Sequence, residues 1–288
     1  MNGIIVLDKP EGKTSHDMVN FVRRLTGVRR VGHTGTLDPM ATGVLPICVG
    51  SAAKVSDMLT ATDKRYTAEL LLGVKTDTED ISGNVIEKND VSASIADIEN
   101  AVKEFVGKIS QIPPMYSAIK QNGKKLYELA RQGIEVERNA REVTIYSIDI
   151  LDITEKTLKI DVSCSKGTYI RTLCADIGNK LGTGACMTSL RRTAAGIFTI
   201  ENAYTPSELE NERDKIADLL MPPDEIFAEY PPIYLNEKQT RSIVNGVRMT
   251  WRGGVENQCY RLYGENREFL CVSRCVEGKL RLEKSFWT

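Results

Sequence analysis

The chain has only two histidines, His16 and His33, among 288 residues. Its seven cysteines are Cys48, Cys164, Cys174, Cys186, Cys259, Cys271 and Cys275, an odd number with no C-x-x-C pair. A zinc centre would need an unusual ligand set under those conditions, and buried reduced thiols are the better reading. Long hydrophobic runs are also missing. The first apolar stretch, Gly3 to Leu7, is closed by Asp8 and Lys9 and is too short for a signal-peptide core. No other run approaches membrane-spanning length, so the expected compartment is the cytoplasm, with no membrane partner. There are no internal repeats and no low-complexity tracts. Charge of one sign is lacking too: 38 Lys and Arg face 39 Asp and Glu, a net of −1. That speaks against a general polyanion binder. Basic character is instead local. Residues 230–288 carry ten Lys and Arg against six Glu, and residues 108–141 carry seven against three acidic residues. Such a distribution fits a protein in which particular faces meet phosphates, and equally fits solvated mixed-charge faces.

One missing glycine settles a further class. EGKTS, residues 11–15, resembles the end of a Walker A loop, but that motif needs glycine at position 7, where Leu7 stands. An NTPase is therefore set aside.

What is present is an alternation of strand-like and helix-like segments. GIIVLD (3–8), VLPICVG (44–50) and RYTAELLLG (65–73) read as strands. Ser15 can cap a helix that places Met18, Val19, Phe21, Val22 and Leu25 on one face and Arg23 and Arg24 on the other. SAAKVSDMLTA and SIADIENAVKEFVG read as further helices, and TDTEDISGN as polar turn material. QIPPMYSAIKQNGKKLYELARQG breaks the pattern with Pro-Pro and Asn-Gly before a short basic helix. It reads as an insertion standing off the core, about residues 108–141. Three strands near 142–153, 157–164 and 185–199 follow, with a helix ending at Gly182 between the last two. The acidic, Pro-containing stretch 205–228 leads to a domain boundary near 229. Short strands between Gly and Asn turns then form a small β-rich unit, 229–288. The expected fold is mixed α/β (α+β).

The stretch with the most chemistry is GHTGTLDPMATG, Gly32 to Gly43. Asp-Pro alone is an ordinary helix start or turn. Here Asp38 is bracketed by Gly32, Gly35 and Gly43, with His33 and two threonines beside it, which implies tight backbone and a close-approaching ligand.

At this loop the sequence resembles the TruB-type pseudouridine synthases, the tRNA pseudouridine-55 synthases. VLDKPEGKTSHDMV, GHTGTLDPMATGVLPICVG, KRYTAELLLGVKTDTEDISG, QIPPMYSAIKQNGKKLYELARQG and SCSKGTYIRTLCADIGNKLGTGACMTSLRRTAAGIF match the family's blocks in order over about the first 200 residues. The resemblance implies a catalytic domain, 1–228, on a long, largely antiparallel sheet. A PUA-like RNA-binding unit, 229–288, is matched more weakly through LNEKQTRSIVNG. It implies isomerisation of one uridine in the T arm of tRNA, with no cofactor or metal and no protein partner, by a monomer. It assigns Asp38 as the catalytic carboxylate, Arg171 as the cation keeping it charged, and Tyr66 as a ring stacking on uracil with its hydroxyl near C5. Tyr169 and Leu190 would line the nucleotide pocket, and His33 would brace the RNA after the uridine is flipped out. His16, at a helix start, is local structure. Lys120, Lys124, Lys125 and Arg131 would grip the RNA arm, and Arg191 and Arg192 would add phosphate contacts. Three rivals are an RNA-binding chaperone without catalysis, a synthase guided by small RNAs, and the NTPase already set aside.

Overall fold

The computed structural model describes residues 1–287 except 118 and 122; of Lys120 and Lys125 only the backbone is described. The chain opens on β1 (Gly3–Lys9), α1 (Ser15–Thr26), β2 (Val31–His33) and β3 (Thr42–Val49). Alternation along β1 and β3 explains why both read as unbroken apolar runs. Ile5, Leu7, Leu45 and Ile47 point into one core. Ile4, Val6, Val44 and Cys48 point into another on the opposite face. A strand buried on both sides has no polar face to show. The cap of α1 is Thr14, in a reciprocal box with Asp17, and not Ser15 as the sequence suggests. Ser15 has a different partner: its hydroxyl accepts from the Leu37 amide (2.8 Å) and donates to the Leu37 carbonyl (3.1 Å).

Further along come α2 (Ser56–Thr60), β4 (Lys64–Leu72), the side hairpin β5 (Val74–Thr76) and β6 (Val85–Lys88), α3 (Ile95–Glu104) and β7 (Gly107–Gln111). A small excursion holds β8 (Lys120–Gln121), β9 (Lys124–Lys125) and α4 (Leu126–Ala130). It is followed by β10 (Arg141–Ile153), β11 (Thr157–Cys164), α5 (Ile170–Lys180), β12 (Ala185–Ala195), β13 (Phe198–Thr199) and α6 (Pro206–Asn211). Nine strands form one sheet. Its main path runs β1-β3-β12-β4-β11-β10-β7, with β2 on β3 and β13 on β12. Every pairing is antiparallel except β3 with β12. The expected insertion is narrower than its sequence suggests. Gly107–Gln111 and the start of β10 pair with each other in the main sheet, so only residues 112–140 leave it. The short helix α4, LYELA, carries no basic residue.

The last segment builds a second sheet from β14 (Pro232–Tyr234), β15 (Met249–Thr250), β16 (Cys259–Tyr263), β17 (Phe269–Val276) and β18 (Lys279–Ser285). Between β14 and β15 lies α7 (Glu237–Val244), capped by Asn236. This unit does not hang free. Phe227, Cys259, Val272 and Phe286 share one buried cluster with Ile4, Val6, Val44 and Cys48 of the large sheet. All seven cysteines are buried and unpaired. Among the described residues no helix is long and apolar enough to cross a membrane.

Candidate active site

The loop between β2 and β3 is fixed from below. Besides the Ser15–Leu37 pair, the Lys9 ammonium donates to the carbonyls of Lys13 (2.6 Å), Pro10 (2.9 Å) and Pro39 (3.2 Å). The Gly12 amide also donates to Pro39 (2.8 Å). Lys9 is fully buried, and burial pulls its pKa down to about 8 against the attraction of Asp38. Asp38 stands between two immobilised residues, Leu37 and Pro39. Its side chain remains 39% exposed.

Its partner comes from α5. Arg171 lies in the first turn of that helix, only 6% exposed. One guanidinium nitrogen pairs with Asp38 Oδ2 at 3.2 Å and donates to the Tyr116 carbonyl at 2.7 Å. The other pairs with Asp80 Oδ2 at 3.2 Å and donates to the Thr78 carbonyl at 3.3 Å. Asp80 is buried, and its other oxygen accepts from Thr78 Oγ1 (2.9 Å), the Ser82 amide (3.0 Å) and the Ser82 hydroxyl. A buried cation thus lies between two carboxylates, one enclosed and one facing outward. Burial raises the Asp38 pKa, Arg171 opposes that rise, and Asp80 adds to it.

The start of α5 is held by Gln111. Its side-chain amide accepts from the Tyr169 amide (2.8 Å) and donates to the Tyr169 carbonyl (3.1 Å). Burial raises the Tyr169 hydroxyl pKa, and both Arg171 and Asp38 lie near enough to act on it. Tyr66 on β4 is half-buried against the main core. It lies opposite Arg192 of β12, and Leu190 of the same strand lies opposite Ala68. Burial likewise raises the Tyr66 pKa, and Asp38 acts in the same direction. His33 is half-buried on β2, its Nδ1 enclosed and without a hydrogen-bond partner. Burial first, then Arg192, lowers its pKa, which favours the neutral ring.

The structure therefore brings Asp38, Arg171, Tyr66 and Tyr169 together, with Leu190 on the face that carries Tyr66. The basic residues divide. Lys124 and Arg131 are exposed, with Arg131 over the Tyr127 ring at 5.4 Å. The side chains of Lys120 and Lys125 lie outside the described residues. Arg191 pairs with Asp8 at 2.7 Å and keeps some exposure. Arg192 does not fit a phosphate contact: it is 1% exposed, and it donates to the carbonyls of Val44 (2.7 Å) and Gly35 (3.3 Å). Sequence reading passed over Asp80 and Gln111. An acidic turn such as TDTEDISGN looks solvated, and nothing local in it signals burial.

The chain is also similar to known proteins. The chain aligns with a solved archaeal box H/ACA sRNP Nop10-Cbf5 complex at 26% identity and TM-score 0.71, covering 99% of this chain and 86% of that one. A Cbf5-Nop10-Gar1 complex matches at 25% identity and TM-score 0.72. The fold is that of a pseudouridine synthase. Residues 23–170 match the TruB family pseudouridylate synthase N-terminal domain, and residues 171–228 match the tRNA pseudouridylate synthase B C-terminal domain. The tRNA pseudouridine synthase B of Clostridium novyi is 44% identical over 99% of both chains. That of Alkaliphilus oremlandii is 49% identical over 86% of this chain and 83% of its own. This chain belongs to the TruB family of pseudouridine synthases.

Proposed function

We propose that this enzyme converts the uridine at position 55, in the T loop of tRNA, to pseudouridine, acting in the cytoplasm as a monomer without a cofactor or protein partner. The observation that carries the reading is the outward-facing Asp38 carboxylate, ion-paired to an enclosed Arg171 that Asp80 holds from behind. The choice of tRNA is supported by full-length likeness to relatives named for tRNA. It is closer than the likeness to the H/ACA proteins.

The target base is paired or stacked inside a folded loop and must be flipped out. His33, neutral and beside the glycine loop, braces the RNA left behind, and Tyr169 and Leu190 wall the pocket. The C1′–N1 bond breaks, the uracil turns, and C5 bonds to C1′. Attack of Asp38 on C1′ and prior removal of a ribose proton by Asp38 both start from the ionised carboxylate, and both fail with an amide. The ring of Tyr66 stacks on the base, and its oxygen, as phenolate, receives the proton that leaves C5. Lys124, Arg131 and Arg191 position the RNA, together with Lys120, Lys125 and the unit at 229–288.

The test is release of label from an unmodified tRNA transcript tritiated at uridine C5, with EDTA and no nucleotide. One equivalent released by the natural protein and none by Asp38→Asn, with binding retained, is the expected result. Tight binding without release would make this an RNA-binding chaperone.

A further inference from the structure

Arg192 has no role in the reading above, yet it is among the largest fully buried side chains. None of the ion pairs between described residues includes it, so a guanidinium sits enclosed without a carboxylate. Lys9, Lys64 and His33 each feel it as a repulsive cation. A buried unpaired charge is costly and persists only where something offsets it. Two main-chain carbonyls, of Val44 and Gly35, satisfy part of the fork. Arg192 and Tyr66 are cross-strand partners, so their side chains leave the sheet on one face, and the guanidinium lies against the Tyr66 hydroxyl. The parallel partner of Arg192 on the other side is Gly43, which has no side chain to intervene. Gly35 lies beside the guanidinium too: a Cβ there would lie 3.7 Å from an Arg192 nitrogen.

We propose that Arg192 is the positioning residue for Tyr66, a fixed cation whose missing anion is the Tyr66 phenolate that takes the proton from C5. This rests on the reading of Tyr66 given above. In the step, the C5–H bond breaks, its electron pair restores the C5–C6 double bond, and the C6–N1 double bond opens to leave its pair on N1, which takes a proton from water. The proton becomes the Tyr66 O–H and passes to water as product leaves. Arg192 stays protonated throughout. The groups facing the phenol are Arg192 from β12, Cys164 from β11 and Asp38 from the loop. Only Arg192 among them favours the phenolate. A neighbouring cation moves such an ionisation by roughly 1–3 pH units.

The experiment is a double-mutant cycle with Arg192→Gln and Tyr66→Phe, read by single-turnover release of C5 tritium from the tRNA transcript across pH. Arg192→Gln is expected to slow release about 10- to 1000-fold at neutral pH, with the rate recovering as pH rises. In the Tyr66→Phe background the same change should cost almost nothing. Ultraviolet difference titration should show one phenol, absent from Tyr66→Phe, ionising at higher pH in Arg192→Gln. Equal loss in both backgrounds at every pH, with that phenol unmoved, would make Arg192 purely structural and overturn the proposal. Wild-type turnover by Tyr66→Phe alone would instead remove the role of the hydroxyl, and the proposal with it. Should Arg192→Gln fail to fold, Arg192→Lys keeps the charge and loses the fork. The pH profile of that variant should stay near wild type, and a profile displaced as far as loss of charge predicts would sink the idea.

Discussion

Asp38 is a carboxylate that the fold makes easier to protonate than an ordinary aspartate, since burial outweighs Arg171 in setting its pKa above the usual value. For catalysis, the acid limb of turnover should fall at a higher pH than an ordinary aspartate would give, and Arg171→Gln should push it higher still. A pH–rate profile checks both. For stability the sign is the reverse. An Asp with a raised folded pKa favours the folded state at low pH and loses that contribution as pH rises through the folded value. Asp38→Asn should therefore melt no lower than the natural protein near neutral pH while losing all turnover, a result read by parallel melting and label-release assays. Asp80→Asn should behave differently. It strips one carboxylate from a pair in which both side chains are 6% exposed. About 3–5 kcal/mol of stability is at stake, with turnover reduced at least about tenfold. Unchanged denaturant midpoint and rate would mean that Asp80 does not hold Arg171. At this scale the sequence is legible where a motif carries chemistry, as at Asp38 and Arg171, and illegible where burial decides. Arg191 and Arg192 illustrate the difference. Adjacent strand residues point to opposite faces, so both could not reach the same solvent. The chain alone does not say which one turns inward.

Elements rather than single groups hold the loop in place. It runs between β2 and β3, is tied to α1 through Ser15, and is tied to the end of β1 through Lys9. Ser15→Ala removes a hydroxyl that both accepts and donates within the buried loop, leaving the Leu37 amide unpaired. That should cost about 1–3 kcal/mol and lower turnover more than tRNA affinity, a split visible in separate kinetic and binding measurements. Gly43 is the stricter position. Its φ is +99°, and a Cβ would fall 2.2 Å from the Arg192 carbonyl oxygen. Gly43→Ala should part β3 from β12 and yield an unstable, inactive protein, whereas a soluble variant with normal melting would show the seam to be pliable. Strands and helices were mostly legible because their apolar periods are long. The Thr14 cap was not, because Thr14 and Ser15 are both capping residues and only the long-range bond to Leu37 decides between them.

At the scale of the molecule, the second sheet shares a core with the first. Phe286 packs against Phe269 and Phe227, with ring centroids 4.8 and 6.0 Å away. Phe286→Ala should cost about 3–5 kcal/mol and lower a single melting transition for the whole chain. Two separate transitions would show that the sheets unfold independently. This sharing was hidden in the sequence, where the acidic, Pro-containing stretch 205–228 leads to a domain boundary near 229 and the doubly apolar β1 and β3 do not reveal what covers their second face. The order of strands has a consequence for how the protein is made. Asp38 and Tyr66 are synthesised early, but β12, which separates their strands in the sheet, begins only at Ala185. At about 5–20 residues per second, the ribosome leaves β3 and β4 without their shared neighbour for many seconds. During that interval a nascent chain displays two unpaired apolar strand edges, a natural target for chaperones, and it holds every atom of the catalytic loop without yet having an enzyme.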